Sequence, residues 1–160
     1  MLIQIISVNH KLPEWADLAA QDYLKRFGKE INIKLEEISP KPRTKNNSNP
    51  SDIIKLIHEE GLSIKNKIPK DSYIIALDVL GKAFSTEDLS KYLNQWMHGG
   101  RNICMIIGGA DGLSPEILNQ ADLKLSLSQL TFPHPLAKII LIEQLYRAHS
   151  ILKNHPYHRA

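Results

Sequence analysis

Most of the residue types that could do chemistry lie in the last third of this 160-residue sequence. A strongly apolar stretch, residues 102–107, runs into a glycine-rich segment, residues 108–112, and a later apolar stretch ends in a proline-containing segment, residues 128–135. The sequence finishes with a tail, residues 154–159, that carries two histidines, a tyrosine and an arginine. Glycine lets a ligand approach the main chain closely, and proline fixes φ and removes a backbone donor. Together these segments predict parts of a ligand site.

The glycine and proline segments also have purely structural interpretations. The glycines of residues 108–112 could form only a tight turn into the next helix, and on local grounds alone that is the better interpretation. His134, held between Pro133 and Pro135, could cap the final helix. The same loop could instead turn its main-chain carbonyls toward an adenine edge, and the local sequence favours neither alternative.

The final helix and the tail leave similar alternatives. Glu143 and Arg147 stand four residues apart in the order that favours an ion pair, which we interpret as a structural salt bridge. The helix is apolar on nearly every face, so it lies in the core or at a subunit interface. The tail could be disordered, as termini often are. Its chemistry suits RNA, because Arg binds phosphate while Tyr and His stack on bases.

Bulk composition excludes several classes of function. Cys104 is the only cysteine, so an intramolecular disulfide and a multi-cysteine zinc site are excluded, and we expect it to be buried. The first residues lack the features of a signal peptide, and no apolar run approaches transmembrane length. We therefore expect a cytoplasmic protein. The fingerprints of dinucleotide-binding and P-loop proteins are absent, which argues against hydride transfer and nucleotide hydrolysis.

The charge pattern permits a nucleic-acid partner without establishing one. The formal net charge is +3, but residues 41–45 and residues 147–159 are basic stretches without an acidic residue. We interpret the first of these stretches as a solvated surface within a mobile loop, residues 39–50, which is rich in Pro, Asn, Lys and Ser. The length of this loop still suggests a function.

Strand and helix patterns alternate along the whole sequence. The predicted strands are residues 2–8, 31–38, 73–77, 102–107 and 123–127, and the predicted helices are residues 13–27, one from Ser51, one from Ser85, 115–121 and 135–152. This alternation predicts an α/β fold with a mostly parallel sheet and helices on both faces. Ligands bind beyond the carboxyl ends of such strands. The strand ends that could form a ligand site are residues 77–78, residues 108–109 and residues 128–133.

The full set of motifs resembles a known family. The residues that carry the resemblance are 77–82, 106–114, 125–135, 143–148 and 154–159. In combination they resemble the ribosomal RNA large subunit methyltransferase H family of the SPOUT class, and the similarity covers the whole chain. The resemblance implies one domain over residues 1–160, with a trefoil knot at its C-terminal end. Because knots are almost absent from other proteins, periodicity alone does not predict one.

The resemblance also implies a cofactor, a partner and a site. It implies S-adenosylmethionine as methyl donor, a homodimer with the site between subunits, and neither a metal nor a membrane. The implied cofactor-binding residues are Leu77, Gly108, Gly109, Ser128, Gln129, Leu130, Thr131, Phe132 and Pro133. The implied catalytic residues are His134, Tyr157, His158 and Arg159.

The substrate that the resemblance implies is a pseudouridine in the helix 69 loop of 23S ribosomal RNA, methylated at N3 on the assembled ribosome. The enzyme has mainly to align the reacting atoms and to stabilise N3 as it loses its proton. We expect His134 to lie near the base, and the tail to hold the base and a phosphate. Two alternatives are a non-catalytic ribosome-binding factor and a SPOUT methyltransferase that acts on another RNA, such as transfer RNA.

Overall fold

The structure is a computed structural model that describes residues 1–159, except for the side chain of His158. The strands are β1 (Leu2–Val8), β2 (Asn32–Ile38), β3 (Tyr73–Ala83), β4 (Ile103–Ile107) and β5 (Leu123–Ser126). The helices are α1 (Glu14–Leu24), α2 (Pro50–Lys65), α3 (Thr86–His98), α4 (Pro115–Gln120) and α5 (His134–Leu152), with short 3-10 turns at Lys45–Asn47 and Pro156–His158. The alternation of strands and helices predicted from the sequence is confirmed.

The five strands form one sheet in the order β2-β1-β4-β3-β5. Every pairing in this sheet is parallel, as the predicted fold class requires. The alternating strand β2 lies at one edge, where a half-buried pattern is expected. The C-terminal trefoil knot implied by the resemblance stays a prediction, because strand order and register do not report the path of the chain through its own loops.

Side-chain alternation in the central strands divides the core into two layers. Ile103, Met105 and Ile107 of β4 belong to a larger hydrophobic cluster, whereas Cys104 and Ile106 belong to a smaller one. Successive strand residues point to opposite faces, so the two clusters lie on opposite sides of the sheet. Cys104 is fully buried as predicted, and burial raises the pKa of its thiol to about 12.

Each cluster is covered by its own set of helices. The larger cluster includes Ala20 of α1, Leu93 of α3 and Leu145 of α5. The smaller one includes Ile64 of α2 and Ile117 of α4. Helices therefore cover both faces of the sheet, and α5 is largely buried because it packs with α1 and α3 over the central strands.

The caps predicted for two of the helices are confirmed, and one is wrong. The Ser85 hydroxyl accepts from the Asp88 N–H at 3.0 Å, and the Ser114 hydroxyl accepts from the Ile117 N–H at 3.3 Å. Helix α2, however, is capped by Asn49 rather than Ser51. Asn has a side-chain oxygen as suitable as that of Ser, and Pro50 then takes the first helical position, which it favours.

Strand β3 continues six residues beyond the predicted end at Leu77, through an irregularity in its pairing with β5. Leu77 and Lys82 both pair with Leu125, so residues 78–81 leave the ladder. A Cβ atom on Gly81 would lie 2.8 Å from main-chain atoms of Leu125, so only glycine allows the strands to approach this closely. The sequence pattern missed this bulge because the residues in it have no strand periodicity.

Candidate active site

The main cavity lies beyond the carboxyl ends of β3, β4 and β5. It has a volume of about 600 Å³, which is in the size range of small-molecule sites. Of the cofactor-binding residues implied by the resemblance, those that line it are Leu77, Gly108, Gly109, Ser128, Leu130, Thr131 and Phe132. Gln129 and Pro133 belong to the same loop but are not among the lining residues, and His134 lines the cavity at the start of α5. The three strand ends thus meet at one cavity.

The glycine segment is both a tight turn and a wall of the cavity, so the two interpretations of its sequence are compatible. A Cβ atom on Gly108 would lie 2.6 Å from the carbonyl carbon of Gly112. Gly112 has φ +83°, and its N–H donates to the Gly109 carbonyl at 3.0 Å. Glycine is therefore required at both positions, for close approach at the first and for positive φ at the second.

The loop at residues 128–133 is shaped by hydrogen bonds of Ser126 and Ser128 and by the helix that follows. The Ser128 hydroxyl accepts from the Leu130 N–H at 3.0 Å, and the Ser126 hydroxyl donates to the Ser128 carbonyl at 3.1 Å. Pro133 occupies the cap position of α5 without a side-chain cap, and His134 is the first helical residue. His134 therefore does not cap α5, contrary to one of the two interpretations of its sequence.

The charged residues that line the cavity are acidic. Asp78 and Asp111 line the cavity, and no lysine or arginine does among the residues that the structure describes. The Asp78 carboxylate accepts from the Leu80 N–H at 3.0 Å, and the Asp111 carboxylate accepts from Arg43 Nε at 3.0 Å. Such a wall favours a ligand with positive charge and disfavours one with a polyphosphate group.

His134 is placed to act as a neutral imidazole. Burial lowers its pKa below the ordinary value of 6.5, and the positive charge of Lys138 lowers it further, while Glu60 acts in the opposite direction. Lys138 is 1% exposed and donates to Glu37 Oε1 at 2.8 Å. A neutral imidazole at pH 7 has a free ring nitrogen that can accept a hydrogen bond or a proton.

The lowered pKa of His134 has a measurable consequence for stability. Because the unfolded chain binds this proton at a higher pH than the folded chain, the free energy of unfolding should fall as the pH decreases below about 6.5. The variant His134→Gln should lose less stability than the wild type between pH 7.5 and pH 5.5, measured by denaturant unfolding. NMR titration of the wild type should give a His134 midpoint below 6.5. A midpoint at or above that value would contradict the assignment.

The C-terminal tail folds back onto α5 and α1, and none of its described residues lines the cavity. Tyr157 Oη donates to Glu143 Oε1 at 3.1 Å and lies 3.3 Å from Tyr23 Oη. The Arg147 guanidinium lies 4.9 Å from the centre of the Tyr157 ring. Burial, the hydrogen bond to Tyr23 and the charge of Glu143 raise the pKa of Tyr157, so its phenol stays protonated. In this position Tyr157 is a hydrogen-bond donor and not a general base.

The predicted catalytic residues are not brought together within one chain. The predicted ion pair between Glu143 and Arg147 is confirmed, with an N–O distance of 2.7 Å, and it anchors the tail. Tyr157 contacts α5 at Glu143, which lies about 14 Å along the helix from His134 at roughly 1.5 Å per residue. Arg159 is exposed at the end of the tail. The role of His158 concerns a side chain outside the described part of the structure.

The described residues, 1–159, contain neither a candidate metal site nor a candidate membrane-spanning helix. Within them, no group of three or more His, Cys, Asp or Glu side chains could hold a metal ion. None of their helices is both long and apolar enough to cross a membrane.

An all-parallel sheet with helices on both faces and a cavity beyond the carboxyl ends of adjacent strands defines the chain as an α/β protein with a candidate ligand site where such folds bind ligands. Comparison with known proteins makes the class specific. A family model described as "Predicted SPOUT methyltransferase" matches residues 1–158, and the chain belongs to this family.

Curated relatives align with the chain from end to end. It is 43% identical over 159 residues to the ribosomal RNA large subunit methyltransferase H of Thioalkalivibrio sulfidiphilus, with 99% of each chain covered. It is 46% identical over 157 residues to the protein of the same name from Legionella pneumophila strain Paris, with 98% of each covered. It is also 46% identical to that of Saccharophagus degradans over 159 residues, which cover 99% of this chain and all of the relative. The resemblance to this family is confirmed.

Proposed function

We propose that this protein transfers a methyl group from S-adenosylmethionine to ribosomal RNA of the large subunit. The observation that carries the proposal is the cavity at the ends of β3, β4 and β5, formed by the motif residues in a chain of the SPOUT methyltransferase family. Relatives that match over 98–99% of this chain are named for the same reaction class and substrate.

The walls of the cavity fit S-adenosylmethionine. Its positively charged sulfonium suits a wall with Asp78 and Asp111 and without a described lysine or arginine. The loop at residues 128–133 offers main-chain groups that can bind an adenine edge, and apolar Leu77 and Phe132 can contact its ring. When bound, this cofactor supplies a methyl carbon attached to an excellent leaving group. The chain then has mainly to bind, orient and exclude water.

For the accepting atom, we propose N3 of a pseudouridine in the helix 69 loop of 23S ribosomal RNA, on the assembled ribosome in the cytoplasm. N3 carries a proton that must leave during the reaction. His134 lines the cavity and is neutral at pH 7, so it can orient the base or accept this proton. Tyr157, His158 and Arg159 would bind the base and a phosphate, and Arg159 would favour the deprotonated imide.

A homodimer would bring the tail and the cavity together. Within one chain, Tyr157 contacts α5 at Glu143, and no described residue of the tail lines the cavity, whereas a second copy could place its tail at the cavity of the first. Large apolar side chains are exposed both on α1, at Trp15 and Leu18, and at the cavity, at Val79 and Leu130. Exposed apolar side chains of this size can mark a protein interface. The dimer is the simplest arrangement that completes the site.

The proposal is tested by incubating the purified protein with methyl-labelled S-adenosylmethionine and ribosomes that lack the modification. We expect label in 23S ribosomal RNA, and mass spectrometry should place it on a helix 69 pseudouridine. Naked 23S RNA and transfer RNA serve as matched substrates. Label on transfer RNA would favour a different RNA substrate, and no label from a folded protein that binds ribosomes would favour a non-catalytic ribosome-binding factor.

A further inference from the structure

We propose that Glu60 and Arg43 are positioning residues of the cavity: they hold the glycine turn at residues 108–112 in the shape that binds the methyl donor. The inference deepens the proposed function and rests on it for the identity of the ligand. Both residues lie outside the cavity lining. Arg43 belongs to the long loop that precedes α2, residues 39–49 in the structure, whose length suggested a function that the sequence did not identify.

Glu60 is a buried carboxylate with a complete set of donors. Its side chain is 2% exposed. Oε1 accepts from the Lys41 N–H at 2.8 Å and from Arg43 Nη1, and Oε2 accepts from Arg43 Nη2 at 3.2 Å. A forked arginine pair of this kind fixes both partners in direction as well as in distance. The hydrogen bond to Glu60 also raises the pKa of Arg43, which stays charged.

The same carboxylate supports the beginning of the glycine turn. A Cβ atom on Gly109 would lie 3.0 Å from Glu60 Oε2 and 3.3 Å from Val8 Cγ1. Gly109 is buried and lines the cavity on its other side. The main chain at Gly109 therefore lies between the cavity and Glu60 with no room for a side chain, and Glu60 limits its movement toward α2.

The adjacent residue of α2 supports the end of the same segment. A Cβ atom on Gly61 would lie 2.6 Å from the Ser114 hydroxyl oxygen, which caps α4 directly after the turn. Residues 60 and 61 thus contact both ends of the segment between Gly109 and Ser114. This close packing fixes the distance between α2 and the turn.

Arg43 connects the buried carboxylate to the tip of the turn. Its Nε donates to Asp111 Oδ2 at 3.0 Å, and Asp111 lines the cavity. The side chain of Asp111 is 36% exposed, that of Arg43 is 23% exposed and that of Glu60 is 2% exposed. The three charges therefore form a chain from the interior to the rim of the cavity, and loss of Arg43 would release Asp111 and the loop at residues 39–49 together.

A buried ion pair is by itself weak evidence for stability, since apolar packing often replaces such pairs without loss. The position of this one between the loop and the cavity wall gives it another consequence. A binding wall that is already held in its bound shape does not lose free energy to ordering when the ligand binds. We therefore expect removal of the pair to weaken donor binding in chains that remain folded.

The test compares Glu60→Gln, Arg43→Gln and the double variant with Glu59→Gln as a matched control. Glu59 is the neighbouring glutamate, 54% exposed, and its ion pair with Lys41 spans 3.8 Å. Titration calorimetry should show that each single variant binds S-adenosylmethionine about tenfold more weakly than the wild type, because part of the binding free energy is then lost to ordering the wall. The double variant should be scarcely weaker than either single variant, because the two act as one unit.

Kinetics distinguish positioning from a general loss of structure. At saturating ribosomes, Arg43→Gln should raise the KM for the donor several-fold more than it lowers kcat, whereas partial unfolding would lower kcat alone. Arg43→Lys keeps the charge without the forked hydrogen bonds, so its KM for the donor should lie between those of the wild type and Arg43→Gln. If the Gln variants fail to fold, Arg43→Lys keeps the test open, since it retains a positive charge beside Glu60 and should still weaken donor binding.

The outcomes separate this inference from the proposed function. A wild type that does not bind S-adenosylmethionine would overturn both. A wild type that binds it, together with folded Arg43→Gln and Arg43→Lys variants of unchanged affinity, would overturn the positioning role alone. Weaker binding by Glu59→Gln to the same degree would also overturn it, because the effect would then be one of surface charge.

Discussion

Replacing Arg159 with Ala is expected to reduce methyl transfer to ribosomes by about 100-fold or more while the affinity for S-adenosylmethionine stays unchanged. The guanidinium is exposed at the end of the tail and, in the proposed site, stabilises negative charge as the base loses its proton. Removing one such donor typically costs 100-fold or more in rate, on the order of 3 kcal/mol. Single-turnover methylation and calorimetry measure the two quantities separately.

The matched control is Lys70→Ala, which removes an exposed positive charge shortly before β3, at the end of the sheet away from the cavity. It should behave as the wild type in both measurements. Near-normal turnover of Arg159→Ala would contradict the assignment of the tail to the site.

A mixed dimer tests whether the tail acts on the partner's cavity. Subunits with Arg159→Ala and subunits with a disabled cavity should each be inactive as homodimers. Hybrids purified with two different tags should regain activity, because one of their two sites combines an intact cavity with an intact tail. Hybrids that stay inactive would mean that the tail serves its own chain.

The disabled cavity is supplied by Gly108→Ala, the second change with a large expected effect. The new Cβ would lie 2.6 and 2.7 Å from the carbonyl carbon and oxygen of Gly112 and 2.9 Å from the Leu113 nitrogen. These are main-chain atoms, so no side-chain rotation can relieve the overlap, and the turn must open. Overpacking of this kind costs about 1–3 kcal/mol. Calorimetry should show S-adenosylmethionine binding weakened by up to about 100-fold.

Gly28→Ala is the matched control, because a Cβ there meets no atom within 4 Å. It should leave donor binding unchanged. Circular dichroism and thermal unfolding of both variants will show whether Gly108→Ala acts locally, as expected for a turn beyond the carboxyl end of β4. Donor affinity equal to that of the wild type would mean that the glycine turn is no part of the binding wall.

Local patterns were sufficient to predict most of the fold. The apolar run that became β4 and the caps at Ser85 and Ser114 depend on neighbours within a few residues, so the sequence contains their signals directly. The location of the cavity followed from one topological rule, because the glycine and proline segments come at the ends of parallel strands. The cofactor and substrate came from the resemblance and not from these patterns.

The features that were missed depend on contacts between distant segments. The bulge at residues 78–81 is set by the backbone of Leu125, and the role of Arg43 is set by Glu60 and Asp111. No local spacing records such meetings. The placement of Tyr157 against Glu143 was missed for another reason: a short tail has little periodicity, and its position depends on the side chains of α1 and α5.

The strand order also constrains the sequence of events during biosynthesis. Strand β1 is the first to be made and lies between β2 and β4, with Ile3 opposite both Ile33 and Ile103. Its second neighbour is therefore synthesised about 100 residues later, which at 5–20 residues per second is a delay on the order of 5–20 s. During that interval a nascent chain has one edge of an apolar strand without its partner. Such long-range pairing slows folding, so β1 can complete its pairing only after most of the chain has been made.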